Sequence, residues 1–180
     1  MSGLLERVPV ARHRSLLRSA TVVTALLFIM ITALGLPLRT GAAPLGIVSL
    51  QFAASPEAAE RMLASWASVP RGRLLWAHGL DLLLPVAYAL AIGLAATRAA
   101  QAARTARRPA AIASGAAVAA AIADQVENVA MGATILLGPA WAGVLVTLVA
   151  ATAKSTLLVL SLGALAAAAS TARGARVGGR

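Results

Sequence analysis

Four stretches of this chain, at about 19–38, 74–97, 109–137 and 140–169, are almost wholly apolar. Each is long enough to cross a bilayer, for which a helix needs about 20 predominantly apolar residues. No other property restricts the fold so strongly, because a backbone in lipid must satisfy its hydrogen bonds internally, as a helix or a closed barrel. Runs of this length read as helices. Hydrophobic residues make up 59% of the chain and charged residues 12%, against about 25% charged in soluble domains. The expected fold class is all-α: a polytopic membrane protein with a four-transmembrane-helix bundle and one short external amphipathic helix.

The formal net charge is +10, and its distribution sets an orientation. Arg7, Arg12, Arg14 and Arg18 precede the first span; Arg98, Arg104, Arg107 and Arg108 fill the second link; Arg173, Arg176 and Arg180 follow the fourth span. In the first link, Arg39, Arg61, Arg71 and Arg73 are offset by Glu57 and Glu60, and the third link is uncharged. Basic residues concentrate on the cytoplasmic side of membrane proteins. Both termini are therefore expected in the cytoplasm, with 39–73 and the Gly138-Pro139 turn outside, in a multi-pass protein of the plasma membrane. The basic ends would attract anionic headgroups. No aromatic residues interleave with these arginines, so nucleic acid is not an expected partner.

The expected organisation is a basic cytoplasmic segment at 1–18, a transmembrane domain at 19–169 and a disordered basic tail at 170–180. Residues 1–43 also have the layout of a signal peptide, but the apolar stretch exceeds the about 7–15 residues of a signal core. An uncleaved first span is the better fit. There is no cysteine, which excludes disulfide and thiol chemistry. Fifteen of the sixteen basic residues are Arg, as in a GC-rich bacterial genome, which points to a bacterial inner membrane.

Within the external segment, "SPEAAERMLASW" offers Ser55 as N-cap, Pro56 at the first helical position and Glu57 near the positive end of the dipole. Ala59, Met62, Leu63 and Trp66 share one face. An amphipathic helix is expected at the outer interface, with Trp66 as anchor or as the tip of a lid.

Intramembrane polar residues identify the candidate site. Asp124, Glu127 and Asn128, in "DQVEN", are spaced i, i+3 and i+4 and share a face. An ionised group in the bilayer core costs at least about 2.5–3.5 kcal/mol, so such residues turn inward and find partners. Asp124 lies fourteen residues before Gly138 and Lys154 fifteen after Pro139. By helical rise both sit about 21–22 Å from the turn, which predicts an ion pair. His78, Asp81, Pro85 and Tyr88 form a second stripe; Thr147, Lys154 and Ser161 a third; in the first span Thr21 and Thr24 share one face with Phe28. Together they predict a polar cavity, open outward at His78 and Asp81 and closed inward along "PAAIASGAAVAAAIA".

Lys154 is the only lysine. An ammonium can give up its proton when desolvated, whereas a guanidinium cannot. Lysine either fits a gap too narrow for arginine or takes part in proton transfer or ligand binding. Its pairing with Asp124 leaves an acid over, and one of Glu127 or Asp81 is expected to carry a proton. His78 is a candidate partner for Asp81. No nucleotide loop, catalytic triad pattern or metal-ligand spacing occurs, so neither cofactor nor metal is expected.

Three functions remain open. One is a binding or transport protein for a small or lipophilic solute, coupled to protonation. Another is a membrane-embedded acid/base enzyme acting on a lipid or isoprenoid substrate. The third is an accessory subunit of a homo-oligomer or larger membrane complex. The balance leans away from an enzyme.

Overall fold

The structure, a computed structural model, describes residues 10–177. Among them there are only helices: α1 (Val10–Gly35), α2 (Ile47–Gln51), α3 (Pro56–Ser65), α4 (Arg71–Asp81), α5 (Leu84–Ala102), α6 (Arg107–Leu137) and α7 (Trp141–Val177), with single 3-10 turns at Leu36–Leu38 and Arg104–Ala106. Four helical stretches are long and apolar enough to cross a membrane: Arg12–Leu38, Arg71–Ala102, Arg104–Leu137 and Trp141–Ala175.

The boundaries depart from the sequence reading in three places, for identifiable reasons. Helix α1 starts at Val10 and so takes in much of the basic leading segment; Arg7 lies outside the described residues. Helix α6 starts at Arg107, ahead of Pro109, because proline is tolerated in a first turn where N–H groups have no helical acceptor. Helix α7 runs on through Val177, so 170–177 is helical where a disordered tail is expected. Its "AAAASTAR" is rich in the best helix formers, which outweigh the cost of Gly174. Residues 178–180 lie outside the described residues.

The chain divides into two compact units. One comprises 25–85 and 122–154. Its core packs Leu38, Ile47, Leu50, Trp66, Met131 and Val144 around buried Ala43, Ala53 and Ala59. Helix α3 forms as its sequence predicts: Ser55 Oγ accepts from the Ala58 N–H at 3.2 Å and Pro56 opens the first turn. The Ser55 hydroxyl, then the backbone, hold the Glu57 carboxyl below its ordinary range. Trp66 is not exposed as an interfacial anchor would be. It is 4% exposed in the core, and its indole N–H donates to the Leu38 carbonyl at 2.7 Å. Burying the large ring while satisfying its one polar group outweighs an interfacial position. The short helix α2 supplies Ile47 and Leu50 to the same core. Gly138, at φ +94°, ends α6 and Pro139 follows, as the turn signal predicts.

The other unit comprises the described parts of 1–24, 86–121 and 155–180. Its buried positions are mostly alanine, with Ala96, Ala113, Ala117 and Ala120 fully enclosed. Small side chains let helix backbones approach closely. Ser161 on α7, also fully buried, donates to the Ala113 carbonyl of α6 at 2.8 Å.

Candidate functional site

The site begins with a broken helix. Helix α4 ends at Asp81 and α5 begins at Leu84, with Leu82 and Leu83 in a turn between them. Pro85 causes the break. It has no N–H for the carbonyl four residues earlier, which is that of Asp81, and its ring crowds that carbonyl. Exposed backbone acceptors are costly in an apolar setting unless another donor reaches them. Two side chains of "DQVEN" do so: Asn128 Nδ2 donates to the Asp81 carbonyl at 3.2 Å and Gln125 Nε2 to the Leu82 carbonyl at 2.7 Å. Gln125 is absent from the residues selected by sequence. The signal was available, since Gln125 is one turn from Asn128 and the chain carries a proline in the middle of an apolar run.

Above this repair sits the ionic cluster. Lys154 Nζ lies 2.9 Å from Asp124 Oδ1, in a hydrogen bond. The pairing read from equal distances to the turn is therefore correct. The same ammonium also lies 2.7 Å from Glu127 Oε2, within ion-pair distance. Glu127 therefore shares the ammonium with Asp124, because one turn separates the two acids and a flexible lysine reaches both. Glu127 is fully buried and its Oε1 has no hydrogen-bond partner. Asp81, 8% exposed, interacts electrostatically with Asp124, Glu127 and Lys154. Three carboxylates face one ammonium.

His78 is not the partner of Asp81. It hydrogen-bonds the backbone of Asn128, and its Nδ1 is buried without a partner. The contact depends on Gly132, where an added Cβ would stand 2.8 Å from His78 Nε2. Tyr88, one stripe further along the sequence, is buried in the other unit. Among the described residues no group of His, Asp and Glu is disposed to hold a metal ion.

The hydroxyl stripes have a local explanation. Thr21, Thr24, Thr134, Thr147 and Thr152 each donate to the carbonyl four residues earlier, at 2.8–3.1 Å. A threonine that bonds its own helix needs no polar cavity. Thr21 is exposed on α1, whose most apolar window is only 6% buried. The side chains of the cluster are closely packed: Asp124 is 4% exposed and Asn128 fully enclosed. The void between Leu50, Met131, Thr134, Val144 and Thr147 has no room for a water molecule. The other unit holds a cleft of about 820 Å³ between α5 and α6, along the stretch expected to be closed.

What the cluster can do chemically follows from its count of charges. A buried lysine between two carboxylates is a fixed ion pair plus a spare acid, and a third acid adds a further proton acceptor. No protein family, no characterised protein and no solved structure matches the chain.

Proposed function

We propose that this is an integral protein of the bacterial plasma membrane, a four-helix transmembrane bundle with both termini cytoplasmic, whose acid cluster takes up and releases a proton coupled to binding or movement of a small or lipophilic solute. The observation that carries this reading is the excess of buried acid: Asp81, Asp124 and Glu127 against Lys154 alone. A structural lock needs one acid for one base, and a second buried carboxylate is a liability unless it binds a proton. Intramembrane ionisable residues are generally functional for that reason.

Infrared difference spectra of the protein in lipid, recorded across a pH titration, test it. A carbonyl stretch from a protonated buried carboxyl is expected to appear as pH falls and to be lost in Glu127→Gln. A titration without such a band, or one that Glu127→Gln leaves unchanged, removes Glu127 as the proton site. An accessory, structural role then takes the lead. That second reading has its own support, since Gln125 and Asn128 are engaged in repairing the break at Pro85.

A further inference from the structure

We propose that the cleft between α5 and α6 holds one anionic phospholipid, its acyl chain against the helix walls and its phosphate at Arg107. The proposal rests on the membrane reading above but not on the acid cluster. The cleft measures about 820 Å³, within the about 300–1,000 Å³ usual for small-molecule sites. Its walls are chiefly Ala96, Ala100, Ala110, Ala111, Gly115 and Val118. Of its polar members, Thr97 already donates to the Gly93 carbonyl at 2.8 Å, so the wall it forms is effectively apolar. The space is open at Gly115, where an added Cβ would meet no atom within 4 Å.

Charge selects the occupant. Arg107 is the only charged residue lining the cleft, and it opens α6. The described residues of this unit include Arg12, Arg14, Arg18, Arg98, Arg104, Arg107, Arg108 and Arg173 but no Asp or Glu. A long apolar groove with cationic charge at one end, unmatched by any carboxylate among the described residues of its unit, fits an amphiphile with an anionic head. A free inorganic anion would gain nothing from the alanine walls. Basic residues at a helix end lie at headgroup level, where each contributes to binding anionic lipid.

The protein is extracted from membranes containing equal amounts of phosphatidylglycerol and phosphatidylcholine and weighed intact by native mass spectrometry. One phosphatidylglycerol per chain is expected to remain, with little phosphatidylcholine. In Arg107→Gln the retained fraction should correspond to about fivefold weaker binding, the loss expected for one basic residue beside an anionic headgroup. Gly115→Phe fills open space and should abolish retention while leaving thermal unfolding near that of the parent; Gly115→Leu serves equally if the phenylalanine variant folds poorly. Excess inorganic phosphate should displace nothing. Equal retention of both lipids, full retention in the cleft-filled variants, or displacement by phosphate each overturns the lipid site. Alkaline carbonate treatment of the native membranes separates the two levels. Release of the chain sinks the membrane reading, whereas a chain that stays in the membrane but carries no phosphatidylglycerol sinks the lipid site alone.

Discussion

Lys154 shows how much one side chain can organise. Its ammonium contacts Asp124 at 2.9 Å and Glu127 at 2.7 Å, with Asp81 in electrostatic reach. Removing it leaves buried acids without compensation, a loss of about 3–5 kcal/mol for a well-buried pair. Lys154→Met should therefore lower thermal stability far more than Asp124→Asn or Glu127→Gln, each of which leaves the ammonium one partner. Because Lys154 serves two acids, Asp124→Asn with Lys154→Met should recover only part of the loss. Adding Glu127→Gln should recover most of the rest, as neutral replacement of a complete ionic group often does. Thermal unfolding of the series in one detergent measures this. A triple variant no more stable than Lys154→Met would mean that the cluster holds the fold by something other than charge balance.

At the scale of elements, the break between α4 and α5 is the decisive local event. Pro85 deprives the Asp81 carbonyl of its helical donor, and Asn128 supplies one from α6. Asn128→Ala leaves that buried carbonyl unsatisfied, at a cost of about 1–3 kcal/mol. Pro85→Ala returns an N–H to the helix, so in that background Asn128→Ala should cost clearly less. The double-mutant cycle measures the coupling directly. Equal costs in both backgrounds would show that Asn128 does not act through the carbonyl freed by proline. A related contact joins α4 to α6 through His78 and Gly132. Gly132→Ala would place a Cβ 2.8 Å from His78 Nε2; it should destabilise, and His78→Ala in the same chain should relieve the clash. Additive losses in thermal unfolding would rule out that contact as the cause.

For the whole molecule the testable quantity is topology. The positive-inside rule predicts opposite sides for successive links, with arginines before the first span, in the second link and after the fourth. Reporter fusions after Arg108 and after Arg176 should read as cytoplasmic, and fusions near Ser55 and Pro139 as external. A cytoplasmic signal at Ser55 would overturn the four-span arrangement. Large apolar residues of α1 remain exposed, among them Val22, Leu26, Phe28 and Ile29. That exposure suits a helix bathed in lipid, where apolar side chains carry no penalty for facing outward.

The sequence by itself determined the helices, because length and hydropathy act locally. It also determined the cap at Ser55, the turn at Gly138 and the depth at which Asp124 meets Lys154, since helical rise converts residue counts into distance. Only the tertiary structure decided what each polar side chain touches. Asn128 looks like a cavity residue in sequence, yet with Gln125, which the sequence did not single out, it satisfies carbonyls at the helix break before Pro85, more than forty positions away. Trp66 looks interfacial but is enclosed by residues from distant segments. Threonine stripes suggest a polar cavity, but each hydroxyl can reach its own helix backbone, and periodicity cannot tell the two apart. The location of open space followed the same logic. Alanine and glycine in "PAAIASGAAVAAAIA" permit close packing at Ala113 and Ala117 and leave a cleft at Ala111 and Gly115. Small residues allow both, and the position of the neighbouring helix chooses between them.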